Sequence, residues 1–298
     1  MKILNFGSLN LDKVYTVPHF LRPGETLAAE KVETFCGGKG LNQSVALARA
    51  GGTVFHAGCV GASDGGMLLD CLRENGVDVS LVRRLEECST GHAIIQVDTS
   101  GENCILLFGG ANQAITRQQI DETLALFAPG DLLVLQNEIS ELGYLIAAAA
   151  DKGMVIALNP SPMTVALTDL PLEKVTWFLL NEGEASDLCG GETSADKCLD
   201  ALLSRYPGSR IVLTLGTKGS IYRDRERTVR QRAYPVQVVD TTAAGDTFTG
   251  FFLSGIAAGE PVEQAMEEAA RAASIAIGRQ GASPSVPTRA EMLSFIHD

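Results

Sequence analysis

The chain has no C-x-x-C pair, no run of basic residues and no long apolar stretch. Its seven cysteines are scattered, and an odd number without metal-ligand spacing suggests reduced thiols in a cytoplasmic protein. Most of them are expected to act as small core hydrophobes. Cys36 stands out because it abuts Gly37 and Gly38. The net charge is −12, and the densest basic stretch, Arg223 to Arg232, is broken by Asp224 and Glu226. Binding to a nucleic-acid backbone needs clustered Lys and Arg, so no nucleic-acid partner is expected and this stretch reads as a solvated hairpin. No apolar run approaches the ~20 residues of a membrane span. The N-terminus turns polar too soon for a signal peptide. There is no internal repeat and no low-complexity linker.

What the chain does have is a 45% hydrophobic content over 298 residues, ample for a packed core. Residues 2–8 read as a buried strand ending at Gly7. Two stretches, Val14 to Val17 and Leu27 to Phe35, form a strand pair without a helix between them. His92 to Val97 and Asn103 to Phe108 form a second such pair, and the two pairs together suggest a flap beside the main sheet. Elsewhere strands and helices alternate. Strands are expected at Val54–Val60, Leu132–Leu135, Met154–Leu158, Val175–Leu180, Ile211–Leu215 and Val236–Val239. Helices are expected at Leu41–Ala50, Asp64–Asn75, Arg117–Phe127, Glu141–Ala150, Ala195–Tyr206 and Phe248–Ala258. A hairpin near 219–232 and helices near 261–278 and 288–297 complete the chain. This rhythm predicts an α/β domain, a mostly parallel sheet covered on both faces.

The chemistry centres on residues 240–252, Asp-Thr-Thr-Ala-Ala-Gly-Asp-Thr-Phe-Thr-Gly-Phe-Phe. Ala243, Ala244 and Gly245 form a bare turn opening a helix, where backbone N–H groups and the helix dipole favour an anion. Asp246 on the first turn would be repelled by a phosphate, so it needs another task. General base toward an attacking hydroxyl is one reading and a plain helix cap the other. Polar residues also gather at strand exits: Asn10, Asp12, Glu138, Asn181, Glu184 and Thr214. In parallel sheets that edge is where ligands bind, although Asn10 and Asp12 also suit an Asx-turn. Gly37, Gly38 and Gly40 allow close backbone approach, and Asn42 follows on the first helical turn. Asn181 and Glu184, three apart, can share a helix face and hold a hydrated Mg²⁺. Asp240 has no basic neighbour in sequence and, if buried, needs a cation; carbonyls from Ala276 to Ser285 could complete its shell. The alternatives are a cap or a salt bridge to Arg279.

Taken in order, Gly-Gly-Lys-Gly-Leu-Asn-Gln, Leu-Asn-Pro-Ser-Pro, Asn-Glu-Gly-Glu-Ala, Thr-Leu-Gly-Thr-Lys-Gly, Asp-Thr-Thr-Ala-Ala-Gly-Asp-Thr-Phe and Gly-Ala-Ser-Pro-Ser-Val-Pro carry a resemblance. The chain resembles the ribokinase-like (PfkB) sugar kinases nearly end to end. The resemblance implies one three-layer α/β/α kinase domain over 1–298, with a β-lid at about 11–36 and 90–109 that covers the sugar and pairs two subunits. It implies ATP, Mg²⁺ and a monovalent cation such as K⁺. Asn10, Asp12, Gly38, Lys39, Asn42 and Glu138 match sugar contacts. Asn181, Glu184, Thr214, Gly216, Gly219 and Gly245 match the nucleotide and Mg²⁺ side. Ala243, Ala244 and Gly245 match the anion hole, and Asp246 matches the catalytic aspartate. Asp240, Thr242, Ala276, Arg279, Gly281 and Ser285 match a monovalent-cation site.

Some positions depart from the family. Phe251 stands where a small residue is usual. Ala270 stands where relatives often carry Asn or His near adenine, which leaves the base open. Asn137 beside Glu138 leaves the sugar open. A nucleoside or phosphosugar kinase is the rival within the fold, and a sugar-binding sensor without catalysis the rival outside it. The neutral or acidic pocket positions argue for an unphosphorylated substrate, and intact Asp246 argues against the sensor.

Overall fold

A computed structural model describes residues 1–295. The first half runs β1 (Ile3–Phe6), β2 (Asn10–Thr16), β3 (Lys31–Gly37), α1 (Lys39–Arg49), β4 (Val54–Gly61), α2 (Gly66–Glu74), β5 (Asp78–Leu85), β6 (Gly91–Val97), β7 (Asn103–Phe108), α3 (Arg117–Leu124), β8 (Leu132–Gln136) and α4 (Leu142–Asp151). The second runs β9 (Val155–Asn159), β10 (Trp177–Asn181), α5 (Glu182–Leu188), α6 (Ala195–Arg205), β11 (Arg210–Thr214), β12 (Ser220–Arg223), β13 (Thr228–Gln231), α7 (Ala244–Ala258), α8 (Val262–Ile277) and α9 (Arg289–Ser294).

One sheet has the order β13-β12-β11-β10-β9-β8-β1-β4-β5 and is parallel except for the β12–β13 hairpin at one edge. Successive side chains on a strand face opposite sides, and here both sides are apolar. Leu4, Phe6, Leu133 and Leu135 pack with α3 to α6; Ile3, Leu132 and Val134 pack with α1, α2, α7, α8 and α9. Two apolar layers around a buried sheet make the α/β/α sandwich. The second sheet has the order β3-β2-β6-β7 and gathers the two helix-free strand pairs, with β2 and β6 parallel at its centre.

Three elements differ from expectation, one being the short helix α5, which the sequence reading did not single out. Val236 to Val239 is not a strand. Val239 and Asp240 donate to the Ile277 carbonyl at the end of α8 and not to a strand, and Val238 and Val239 are exposed. Strand β5 was not expected, because Asp-Val-Ser-Leu-Val-Arg-Arg-Leu carries no turn signal and lies on the polar edge of the sheet. Part of the helix expected over 288–297 falls outside the described residues.

Candidate active site

The strand order reverses at β1, which has β4 on one side and β8 on the other. The crevice beyond their carboxyl ends is where an α/β sheet collects ligands. The start of α1 is laid directly on that crevice. A Cβ on Gly40 would lie 2.6 Å from the carbonyl carbon of Gly7, so only glycine lets helix and strand touch here. Gly38 sits at φ +92°, the left-handed side that glycine occupies freely. Lys39 and Asn42 are thereby set over the exit of β1.

Asp246 reaches the same place from α7 and is buried at 7% exposure. Ala243 is the N-cap and makes no side-chain cap bond, while the Asp246 carboxylate accepts from Asn42 Nδ2 at 3.2 Å and Gln43 Nε2 at 2.9 Å. The carboxylate thus accepts from side chains of α1 and not from amides of its own helix, so the cap reading does not hold.

Glu138 is near enough to feel the charge of Asp246 and to act in turn on Asp12, two residues along the same strand from Asn10. Asn10 and Asp12 belong to β2 of the small sheet rather than to a loop after β1, so the small sheet itself forms one wall of the crevice. Asn112 Nδ2 donates to Asn10 Oδ1 at 2.8 Å. Glu138 accepts from the Lys39 amide at 3.0 Å and from the Ser8 hydroxyl. Burial pushes the Asp12 carboxyl up to about 7, and the charge of Glu138 adds to this. Glu138 is also raised by burial, against the Ser8 hydrogen bond and Lys39. Asn42 Oδ1 is buried without a hydrogen-bond partner among the described residues.

A cavity of about 240 Å³ opens beside Asp246, lined by Lys39, Asn159, Asn181, Glu184, Thr214 and the 243–246 turn. Ala243 is in the left-handed region at φ 58°, which turns the chain sharply into α7. The Ala244 amide already donates to the Thr241 carbonyl at 3.2 Å, so the turn offers fewer donors than three bare residues suggested. Asn181 and Glu184 form a reciprocal capping box at the start of α5. Burial raises the Glu184 carboxyl, opposed chiefly by the Asn181 amide.

Gly216 and Gly219 do not line this cavity. Gly219 is needed for packing: a Cβ there would lie 2.9 Å from the Ala233 nitrogen. Phe251 and Ala270 are both buried in the apolar layer on the α7–α8 side.

The premise for Asp240 also changes. It does not end a strand, and it is half-buried and well bonded. Burial raises its carboxyl, but hydrogen bonds from Thr242 and Gly281 outweigh this and hold it below the usual range. The Thr242 amide and hydroxyl donate at 2.9 and 2.6 Å, and the Gly281 amide at 2.9 Å. Arg279 turns away to Glu291 at 2.7 Å. The Ser285 hydroxyl donates to the Ala282 carbonyl, and the Ala276 carbonyl accepts from the Arg279 amide.

Sequence reasoning left Ser8, Gln43, Asn112 and Asn159 without a role. Gln43 and Asn159 lay inside noted motifs, but only the fold brings them to Asp246 and Glu184: Asn159 Nδ2 reaches Glu184 Oε2 at 3.4 Å.

The sequence matches the model of the pfkB family carbohydrate kinases over residues 1–289. It is 35% identical over 296 residues to ribokinase from Haemophilus influenzae, covering 97% of this chain and 96% of that one. The structure of Arabidopsis thaliana ribokinase complexed with ribose and ATP matches at a TM-score of 0.89 with 28% identity, covering 99% of each chain. That of ribokinase from Cryptococcus neoformans in complex with ADP matches at 0.87 with 32% identity and 98% of each chain. The chain therefore belongs to the pfkB family of carbohydrate kinases.

Proposed function

We propose that this protein transfers the γ-phosphoryl group of ATP to the primary hydroxyl of a small unphosphorylated sugar, ribose or a similar pentose or hexose. The observation that carries the reading is the position of Asp246. It is buried, bonded to Asn42 and Gln43 of α1, and lines a cavity faced by the N-terminus of α7.

Asn10, Asp12, Asn42 and Glu138 accept and donate hydrogen bonds to the sugar hydroxyls, while Gly38 and Lys39 bring the backbone close. Asp246 takes the proton of the attacking hydroxyl. The new O–P bond forms as the bond from γ-phosphorus to the bridging oxygen breaks, and ADP leaves with that electron pair. Amides of the 243–245 turn and the α7 dipole face the charge on the transferring group. Asn181 and Thr214 take the nucleotide side.

The oxygens of Asn159, Asn181 and Glu184 suit Mg²⁺, a hard cation that keeps several waters. A carboxyl raised by burial beside a phosphate site is stabilised by such an ion, which, when bound, neutralises phosphate charge. We further propose a monovalent cation between Asp240 and the 276–285 loop. In its favour, the Gly281 amide ties that loop to Asp240 at the foot of the α7 turn. Against it, the carboxylate is already satisfied. Activity in K⁺ against Na⁺ or Tris at matched ionic strength decides, and equal kcat/KM in all three removes the site.

The four-stranded sheet is proposed as a lid over the sugar and as a dimer surface, on a single domain in the cytoplasm. ADP release measured over pentoses, hexoses, nucleosides and their phosphates tests the whole reading. A free pentose or hexose should give the highest kcat/KM; preference for a phosphorylated sugar or a nucleoside would overturn it.

A further inference from the structure

Asp246 is held from beneath by a line of buried polar side chains. Asn5, Gln43, Ser44 and His56 are at 0% exposure and Gln136 at 1%. Such groups cost stability unless their hydrogen bonds are made, so a row of them inside a sandwich calls for a reason.

The row has a fixed direction. It is anchored on the Gly40 carbonyl, which can only accept. Asn5 Nδ2 donates to it at 2.7 Å, so the Asn5 amide cannot be turned round. The same nitrogen donates to Ser44 Oγ at 2.8 Å, and the Ser44 hydroxyl then gives its proton to His56 Nδ1 at 2.7 Å. His56 is thus neutral with its proton on Nε2, in keeping with burial that lowers it to about 4. Asn5 Oδ1 is left facing Gln136, which must offer Nε2, at 3.0 Å. That nitrogen also donates to Gln43 Oε1 at 2.7 Å. Gln43 is thereby left with only Nε2 to present to Asp246 Oδ1, at 2.9 Å, and to Asn159 Oδ1, at 3.3 Å. Turning Asn5 would set its oxygen against the Gly40 carbonyl, turning Gln136 would set its oxygen against Asn5 Oδ1 and Gln43 Oε1, and turning Gln43 would aim its carbonyl at the Asp246 carboxylate.

We propose that Asn5 and Gln136 are positioning residues that act on Asp246 through Gln43. The relay keeps an N–H donor on Oδ1 while Asn42 Nδ2 donates to Oδ2 at 3.2 Å, which leaves the second lone pair of Oδ2 for the incoming hydroxyl. Because the anchor is Gly40, the relay also ties the base to the backbone that carries Lys39 and Asn42. The inference rests on Asp246 as the base.

The test is steady-state kinetics and thermal unfolding of Asn5→Leu, Gln136→Met, Gln43→Met and the double variant Asn5→Leu/Gln43→Met, with Asp246→Asn alongside. The expected result is a loss of kcat of roughly ten-fold in Asn5→Leu and Gln136→Met, with KM for sugar and ATP within about two-fold. The double variant should be no slower than Gln43→Met, since the residues act in series. Should Asn5→Leu fail to fold, Gln136→Met carries the test. Unchanged kcat with a lowered Tm, or additive losses in the double variant, would overturn the relay. If Asp246→Asn keeps its kcat, the base assignment itself fails; if it loses kcat while the Asn5 and Gln136 variants keep theirs, the relay alone does.

Discussion

The raised carboxyl of Asp12 couples binding to stability. Its folded pKa, about 7, lies above the ordinary 3.8 because of burial and the nearby Glu138. Between those values the folded chain holds more protons than the unfolded one, so stability falls as pH rises and the penalty is complete above about 7. Asp12→Asn removes the penalty. It should raise Tm at pH 8, with the gain fading toward pH 4, and should weaken sugar binding at both. Calorimetry at the two pH values checks this, and a variant less stable than the parent at pH 8 would contradict it. Asp246→Asn makes a cleaner probe of catalysis. Asn42 Oδ1 has no partner, so the Asn42 amide is free to turn and accept from the new amide nitrogen. The variant should therefore fold and bind sugar, while kcat drops by roughly 10² or more. Near-normal kcat would refute the base role. The motif around Asp246 was legible because its residues are consecutive. Asn5 and Gln136 were not, because they lie 131 positions apart and meet only through the parallel pairing of β1 with β8.

At the level of elements, the site depends on how closely α1 and α7 approach. A Cβ on Gly250 would press on Ala46 and lie 2.7 Å from the Leu47 nitrogen. One helix carries Asn42 and Gln43 and the other carries Asp246, so separating them loosens packing and catalysis together. Gly250→Ala should destabilise by about 1–3 kcal/mol, the usual cost of overpacking, and lower kcat. Denaturant midpoints measure the first effect, and an unchanged midpoint would show that the helices give way freely. Helix–strand alternation was readable across most of the chain. It failed where a local pattern and a partner part company. Val236 to Val239 has the composition of a strand but joins no edge, whereas β5 has an edge and a mixed composition. Gly216 and Gly219 sit in the β11–β12 turn at φ +55° and +92°, and a Cβ on Gly219 would also meet the neighbouring backbone, so glycine has a structural use there that the sequence alone does not show.

For the whole molecule the open question is what covers the four-stranded sheet. Strand β7 is exposed along its full length, and Ile105, Leu106, Leu107 and Phe108 run consecutively, so both of its faces are apolar. Val32 and Phe35 on β3 are exposed as well. The sugar crevice can take only one face of this sheet, since Asn10 and Asp12 line it from β2. The outer face and the unpaired β7 edge therefore need a second cover, or they become a template for aggregation. A second copy of the chain meets that need, and its docking would also stiffen the wall that holds Asn10 and Asp12. The protein should thus sediment as a dimer at micromolar concentration. Leu106→Glu, at the most exposed of these side chains, should shift it to monomer and raise the sugar KM while leaving the unfolding of the large sheet unchanged. A monomeric parent would exclude this surface as the dimer contact, and a dimer unaffected by Leu106→Glu would place the contact elsewhere.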